Sequence, residues 1–176
     1  MIMSSLVDHQ IRTLCREMGL VEPFDPDLVQ PASIDVRLGN VIKREGRVCG
    51  PVEGRQEWVT EYIKDGDSFE LFPGAFILAH TKEYVRIPNN IEANFQLKSS
   101  RGREGINHLL AGYIDPGFCG QITLELQNVR QRHSVLLRPG MLIGQLRFGK
   151  LDDVPLRPYS VTGRYMNDTG AVESKG

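Results

Sequence analysis

The sequence predicts a mainly β fold with a single short helix near its N-terminus. Short runs of alternating or continuously apolar residues recur between positions 33 and 150. Turn-forming pairs such as Pro73-Gly74 and Pro139-Gly140 separate these runs. Many short strands with this punctuation, and only one clear helix, are typical of an all-β sandwich or barrel.

The helix is predicted over residues 5–18, where Leu6, Ile11 and Leu14 recur at helical spacing. Ser5 with Asp8 resembles an N-terminal capping box, and Gly19 occupies the position of a C-terminal cap. We expect this helix to pack on the body of the protein. The stretch 21–33 contains three prolines and is predicted as a loop.

Several later segments have the pattern of strands separated by turns. The segment 47–67 fits no such pattern and is expected to be an exposed insertion of unknown role. The polar end of the chain, 159–176, is expected either to fray or to become ordered over a ligand. The predicted strands are 33–38, 68–71, 75–80, 83–87, 92–98, 120–128, 134–137 and 143–150.

Length and composition indicate one globular domain over residues 1–176, of which 40% are hydrophobic and 24% charged. The formal net charge of -1 argues against binding of duplex nucleic acid, although it leaves a local basic pocket open. The three cysteines are widely spaced, so we expect no disulfide framework and a cytoplasmic location. No apolar run is long enough to span a membrane, and no signal peptide is evident.

Metal-binding and common nucleotide-binding motifs are missing from the sequence. None of the four histidines pairs with another histidine or a cysteine at ligand spacing. We therefore expect no zinc and no metal held by protein side chains. The P-loop, dinucleotide-binding and nucleophile-elbow patterns are missing too.

The densest polar segment is Lys98-Ser99-Ser100-Arg101-Gly102-Arg103, which follows a predicted strand. Its cations, hydroxyls and glycine backbone are the donors that an oligophosphate needs. The same composition also fits a solvated turn between strands. The residue types alone leave both interpretations open.

A second polar segment contains a lone carboxylate, Asp115, between two turns, and the strand QITLELQN follows it. The apolar residues of this strand share one face, and Glu125 lies on the opposite face with Thr123. That face either meets solvent only, or it presents Glu125 as a general base held by a nearby arginine.

At these residues the chain resembles the dCTP deaminases, a family within the dUTPase-like superfamily. The motifs KSSRGREG, AGYIDPGFCGQITLEL and PGMLIGQLRF are similar to the family's KSSLARLG, AGWIDPGFxGxITLEL and PGMxIGQLxF. The resemblance implies a distorted β-barrel or jelly roll, and a homotrimer or dimer of trimers with active sites between subunits. The matching blocks keep their order along the chain, at 30–40, 71–88, 98–105, 111–126, 139–148 and 157–175.

The resemblance also implies a zinc-independent hydrolase that converts dCTP to dUTP and ammonia for dUMP and dTTP synthesis. Glu125 would take a proton from the attacking water, and Arg103 would orient and ionise that carboxylate. Ser99 and the backbone carbonyl of Ala111 would hold the water. Mg²⁺ would enter with the substrate triphosphate, and dTTP is a candidate inhibitor.

Nucleotide contacts follow from the same resemblance. Asp115 would contact the 3′-hydroxyl of the deoxyribose, and backbone groups of Thr123 and Leu124 would read the base edge. The tail, 157–176, would close over the nucleotide. The residues expected to bind nucleotide are Lys98, Ser99, Ser100, Arg101, Gly102, Arg103, Asp115, Thr123, Leu124, Glu125, Tyr159, Arg164 and Asp168.

The chain departs from the family pattern in the loop 101–105, which reads RGREG instead of LARLG. The stretch 103–111 is about one residue shorter, and Asp168 stands where the family usually has glutamine. An acid near a triphosphate is unfavourable unless it is turned away or bridged by Mg²⁺. Two alternatives therefore stay open: a bifunctional enzyme that releases dUMP and pyrophosphate, with which Asp115 is also compatible, and a catalytically silent nucleotide-binding relative.

Overall fold

The described part of the chain, residues 4–46 and 57–176 of a computed structural model, consists mainly of β-strands. None of its helices is long and apolar enough to cross a membrane. The helices are α1 Asp8–Met18, α2 Ser99–Arg103 and α3 Tyr159–Thr162, with a 3₁₀ helix at Pro26–Leu28. The strands are β1 Ser4–Ser5, β2 Val21–Glu22, β3 Val29–Gln30, β4 Ser33–Arg37, β5 Val41–Glu45, β6 Trp58–Tyr62, β7 Phe69–Leu71, β8 Phe76–Arg86, β9 Ile91–Leu97, β10 Ile106–Asn107, β11 Tyr113–Ile114, β12 Cys119–Asn128, β13 Val135–Leu137 and β14 Leu142–Lys150.

Two six-stranded antiparallel sheets dominate the fold. The strand order of the first sheet is β11-β9-β14-β4-β3, and β1 also pairs with β14. The order of the second sheet is β10-β12-β8-β5-β6, and β2 also pairs with β8. β13 and β7 form a separate ribbon. This architecture, with its N-terminal helix, confirms the predicted mainly β fold of the distorted barrel or jelly-roll type.

One hydrophobic core is shared by the two sheets. Its buried cluster joins Phe95 and Phe148 of the first sheet to Leu124 and Leu126 of the second. Phe148 is 1% exposed and Leu126 is 0% exposed. Burial of each such side chain contributes roughly 1.5–3 kcal/mol. The alternation of buried and half-buried residues along β12 therefore fixes which of its side chains face away from the core.

The long antiparallel pair β8 and β12 forms the platform of the candidate site. The sequence predicts two strands, 75–80 and 83–87, where β8 runs without a break. The pairing register shifts between Gln121 and Thr123. There the Thr81 hydroxyl accepts a hydrogen bond from the Ile122 N–H at 3.0 Å. Because this bond pairs the displaced N–H, the bulge does not end the strand.

Helix α1 begins later than predicted and has a different N-cap. Ser5 lies in β1, paired with Gly149, so the predicted Ser5–Asp8 capping box is wrong. The cap residue is Val7, whose N–H donates to the Gln10 side chain at 3.1 Å. The C-terminal prediction is confirmed, because Gly19 adopts the left-handed conformation with φ 63°.

The expected insertion at 47–67 lies partly outside the described residues. Its described end contains β6, which pairs with β5 along its whole length. β6 is the edge strand of the second sheet, and most of its residues are exposed or half-buried. β6, in the described end of the segment, therefore extends the sheet beside the candidate site.

Candidate active site

Glu125 is presented by the outward face of β12. Its neighbours along the strand, Leu124 and Leu126, are buried in the core at 2% and 0% exposure. Glu125 is half-buried and faces a cavity of about 1410 Å³. Thr123 lies on the same face and lines the same cavity. The strand prediction thus assigns the correct face to both residues.

The cavity is enclosed by the second sheet, the loop that precedes β12 and the C-terminal tail. Six of the candidate site residues line it, and the other lining residues, seven of which are named below, were not candidates; Lys43 and Trp58 also lie outside the matching blocks. The six are Ala111, Asp115, Thr123, Glu125, Tyr159 and Asp168. The seven are Lys43, Trp58, Phe76, Gln121, Tyr165, Glu173 and Lys175.

The basic segment lies apart from this cavity within one chain. Ser99 to Arg103 form the short helix α2, and none of the residues 98–103 lines the cavity. Ser99, Ser100, Gly102 and Arg103 are exposed. Arg101 forms an ion pair with Glu104 at 2.7 Å. The chain alone therefore does not bring Arg103 or Ser99 to Glu125.

Lys98 has a buried partner. Its Nζ donates to Oδ2 of Asp35 at 2.5 Å, and the Asp35 side chain is 3% exposed. Gln30 Nε2 donates to the same oxygen at 3.4 Å. Because an ammonium has three donors, this contact leaves two of them for other acceptors.

Glu125 itself sits in an environment that disfavours its charge. Burial raises the pKa of Glu125, and a hydrogen bond from its own backbone opposes that shift. No charged side chain in the described part of the chain contributes to this balance. A raised pKa brings a carboxylate closer to the working pH of a general base, and a donor or cation beside it would favour its ionised form.

The tail docks along β12 in a parallel orientation. Asp168 forms a parallel bridge with Gly120, and the Gln121 N–H donates to the Asp168 carbonyl at 2.9 Å. The N–H of Gly170 then donates to Oε1 of Gln121 at 2.7 Å. The N–H of Val172 donates to Oγ1 of Thr123 at 3.1 Å. The tail is therefore ordered against the cavity wall and is not frayed.

Helix α3 anchors the start of this tail. The Tyr159 N–H donates to the Pro116 carbonyl at 2.8 Å, and its ring packs against Phe118 with centroids 5.7 Å apart. The Tyr159 hydroxyl accepts a hydrogen bond from the Tyr165 N–H at 3.2 Å. Arg164, in contrast, is exposed and does not line the cavity.

Asp168 is neutralised within the tail. Its Oδ2 accepts a hydrogen bond from Lys175 Nζ at 2.6 Å, and Lys175 also donates to the Arg164 carbonyl at 2.9 Å. The Lys175 ammonium lies 5.0 Å from the centroid of the Tyr165 ring. The conflict between Asp168 and a polyanion is thus removed by an ion pair inside the tail.

The turn before β12 carries Asp115 at the cavity. Gly117 in this turn has φ 86°, and a Cβ there would lie 2.6 Å from Asn89 Oδ1, so only glycine fits. Tyr113, which also lines the cavity, donates its hydroxyl hydrogen to Glu92 at 3.0 Å. Burial, with that hydrogen bond, raises the pKa of Tyr113 to about 12.

No metal centre is visible in the described residues. Within 4–46 and 57–176, no three His, Cys, Asp or Glu side chains are arranged to hold a metal ion. Cys15 and Cys119 are free thiols, and burial raises the pKa of Cys15 to about 11. Cys49 lies outside the described residues.

Comparison with known proteins identifies the family of this chain. The family model described as dCTP deaminase-like matches residues 5–151, which include Asp115, Glu125 and the basic segment. The chain belongs to the dCTP deaminase-like family. It is 42% identical over 182 residues to the "dCTP deaminase, dUMP-forming" of Dictyoglomus turgidum, covering 97% of this chain and 93% of that protein.

Two further comparisons, with one relative and one solved structure, agree with this result. The "dCTP deaminase" of Natronomonas pharaonis is 43% identical over 183 residues, with 97% of this chain and 93% of that protein covered. The crystal structure of 2′-deoxycytidine 5′-triphosphate deaminase from Agrobacterium tumefaciens superposes with a TM-score of 0.66 at 23% identity. That match covers 84% of this chain and 48% of the other, and it supports the fold.

Proposed function

We propose that this chain is a dCTP deaminase that converts dCTP and water into dUTP and ammonia. The observation that carries the proposal is Glu125, half-buried on β12 at the wall of a large cavity. It lies within the segment that matches the family model. Relatives at 42% and 43% identity over almost the whole chain carry the dCTP deaminase name.

In the proposed reaction, the Glu125 carboxylate takes a proton from water and passes it to N3 of cytosine while the resulting hydroxide attacks C4. Glu125 then carries the hydroxyl proton of the tetrahedral intermediate to its amino group, and the C–N bond breaks to release ammonia as the C4 carbonyl of uracil forms. General base catalysis of this kind contributes roughly 10²–10⁴-fold. Positioning of the water would come from Ser99 and the Ala111 carbonyl, and Arg103 would keep Glu125 ionised.

We propose that Ser99 and Arg103 reach Glu125 from a neighbouring subunit of a homotrimer. Support comes from the exposure of Arg103, which does not line the cavity, and from the Glu125 pKa, to whose shift no cation of residues 4–46 and 57–176 contributes. Leu109 and Leu110, which precede the cavity residue Ala111 in the sequence, are 44% and 89% exposed. In a trimer, contact with a neighbouring subunit would cover these two adjacent leucines.

Mixing two inactive variants tests this arrangement. Glu125→Gln lacks the base and Arg103→Ala lacks its partner, so each alone should be inactive. Random mixed trimers should regain about one quarter of wild-type activity, because a site then combines both intact residues. Arg103→Ala mixed with Ser99→Ala is the matched control and should stay inactive. Failure of the first mixture to recover activity would place both residues in one chain.

The nucleotide contacts are proposed on the same basis. Asp115 would contact the deoxyribose, the backbone of Thr123 and Leu124 would read the base edge, and Tyr159 would lie against the sugar. The triphosphate would be held by the basic segment, with Arg164 and the tail closing over it. We propose that Mg²⁺ enters bound to the triphosphate as part of the substrate, because the described residues offer no carboxylate cluster to hold it.

A second candidate is a bifunctional enzyme that also hydrolyses the triphosphate and releases dUMP. It is favoured by the name "dUMP-forming" of the relative at 42% identity. Product analysis separates the two: purified protein is incubated with dCTP and Mg²⁺, and nucleotides, ammonia and pyrophosphate are measured. Accumulating dUTP identifies the deaminase alone, and dUMP with pyrophosphate identifies the bifunctional enzyme. If the protein turned over dCTP in neither way, the proposal would be overturned.

The same assay, repeated with added dTTP, tests that nucleotide as an inhibitor. We place the enzyme in the cytoplasm, supported by the free thiols of Cys15 and Cys119.

A further inference from the structure

The docked tail follows β12 at a constant spacing. Gly170 donates its N–H to the side chain of Gln121, and Val172 donates its N–H to the side chain of Thr123. In each of the two hydrogen bonds, the donor residue lies 49 positions after the acceptor residue in the sequence. Successive donors and successive acceptors are each two residues apart, as expected when an extended segment lies parallel to a strand. The same spacing assigns Ser174 to Glu125, the next outward side chain of β12.

An independent contact brings the tail to the same level of the sheet. Lys43 of β5 is in register with Leu78 of β8, and Leu78 is in register with Glu125. These three side chains therefore form one row on the cavity face. The Lys43 ammonium donates to Oε1 of Glu173 at 2.8 Å. Residue 173 is thus held at the row that contains Glu125, and Ser174 is its neighbour.

The third hydrogen bond of this series is open in the structure. Ser174 is exposed but lines the same cavity as Glu125. Beyond it, the Lys175 N–H donates to the Tyr165 hydroxyl at 3.0 Å, so this donor is paired within the tail and not with β12.

We infer that, when the tail closes for the reaction, the backbone N–H of Ser174 donates a hydrogen bond to the Glu125 carboxylate. Ser174 is then a positioning residue for the general base. The inference rests on the proposed deaminase function for its catalytic meaning. Its geometric part, the approach of residue 174 to Glu125, stands on the two bonds of equal spacing and on the Lys43–Glu173 pair.

The bond would act on the ionisation and orientation of Glu125. A donor to the charged form of a carboxylate lowers its pKa, which opposes the effect of burial. The two lysines that line the cavity are already paired, Lys43 with Glu173 and Lys175 with Asp168. The titratable groups that face this carboxylate from the surrounding elements are Lys43 of β5, His80 of β8, Tyr113 and Asp115 of the preceding loop, and Tyr159, Tyr165, Asp168, Glu173 and Lys175 of the tail.

Two substitutions at one position test the inference. Ser174→Pro removes the N–H, and Ser174→Ala keeps it while removing the hydroxyl. We expect Ser174→Pro to lower kcat roughly 10- to 100-fold, the range for a hydrogen bond to a charged group. The acid limb of its kcat/KM profile should move up by about one pH unit. Ser174→Ala should behave like the wild type in both respects. Equal behaviour of the two variants would overturn the inference.

Direct titration of Glu125 keeps this test independent of turnover. The side-chain carboxyl of ¹³C-labelled Glu125, assigned with Glu125→Gln, is titrated by NMR with and without the α,β-imido analogue of dUTP. Ser174→Pro should raise its pKa relative to Ser174→Ala in at least one of the two series. No difference in either series would overturn the inference. A difference together with no ammonia from dCTP in the wild type would instead refute the proposed function.

A truncation guards against a misfolded proline variant. A chain that ends at Glu173 should raise the Glu125 pKa at least as much as Ser174→Pro, because it lacks the donor and places a terminal carboxylate nearby. Lys175→Ala in the full-length chain measures the separate contribution of the Asp168 pair to the Glu125 titration, and the truncated chain should raise the Glu125 pKa further than Lys175→Ala does. A truncated chain that titrates like Lys175→Ala would count against the Ser174 N–H.

Discussion

We predict that Lys98 stabilises the fold through Asp35, in addition to its proposed role in binding phosphate. The substitution that tests this is Lys98→Met, which keeps most of the side-chain volume and removes the ammonium. It would leave the Asp35 carboxylate, 3% exposed, with only the amide of Gln30 at 3.4 Å. Oδ1 of Asp35 has no partner already.

The expected loss can be worked from this geometry. Breaking a buried ion pair from one side costs about 3–5 kcal/mol. Lys98 is 26% exposed, so water screens part of the pair, and we take the lower end, about 3 kcal/mol. Asp35→Asn should cost less, about 1 kcal/mol, because the remaining ammonium can reach water while a buried amide carries no charge. The double variant should then be more stable than Lys98→Met.

The assay is urea unfolding at one fixed protomer concentration, followed through the fluorescence of Trp58, the single tryptophan. For an m value near 2 kcal/mol/M, the Lys98→Met midpoint should fall by about 1.5 M. A wild-type midpoint combined with a raised KM for dCTP would refute the reasoning. Lys98 would then act on the nucleotide alone, and its contact with Asp35 would be incidental.

Three further predictions concern the cavity. Glu125→Gln should lower kcat by at least about 100-fold while dCTP still binds in calorimetry, because the shape is kept and the base is removed; near-normal turnover would exclude Glu125 as the base. Burial raises the pKa of Glu125 above its ordinary value of 4.5, and the base must be ionised, so kcat/KM should fall as the pH drops through that raised pKa; a pH profile without this acid limb would contradict it. Lys43→Glu should raise the KM for dCTP several-fold by releasing the tail, and the added Glu173→Lys should restore it through the exchanged pair; no restoration would mean that the pair does not hold the tail.

Most strands follow from local sequence, because turn residues and alternation are local properties. β9, β12 and β14 lie within a residue or two of their predicted bounds. β8 could not be predicted as one strand, since its continuity depends on the Thr81 hydroxyl and an N–H that is 41 residues away. The N-cap of α1 was missed because a glutamine side chain reaches back to Val7, while the sequence offered a more usual serine.

Strand β4 shows a second limit of pattern analysis. Asp35 and Arg37 alternate with apolar residues, a pattern typical of a strand with one solvated face. In the structure Asp35 is buried against Lys98, and Arg37 donates to Glu83 at 2.6 Å. Glu83 is 1% exposed. These partners lie 63 and 46 residues away in the sequence. The residues near β4 therefore do not indicate that its polar face is covered.

The candidate site also has parts that follow from local sequence and parts that depend on contacts between distant residues. The face of Glu125 follows from strand alternation, and the turn at Asp115 follows from its proline and glycine. The docking of the tail does not, because it uses backbone donors, which every residue has, and side chains of Gln121 and Thr123 that are common on any strand. Lys43 was missed for a related reason: its partner Glu173 is 130 residues away.

Asp168 is the case in which the residue alone suggests the wrong conclusion. Taken by itself, a carboxylate in a site for a triphosphate weakens the deaminase hypothesis. The structure couples it to Lys175, seven residues further on, so the pair adds no net charge to the cavity wall. The coupling costs little because Lys175 also caps the Arg164 carbonyl and lies over the Tyr165 ring. Asp168 therefore contributes to the structure of the tail, and its presence does not weaken the proposed role of Glu125.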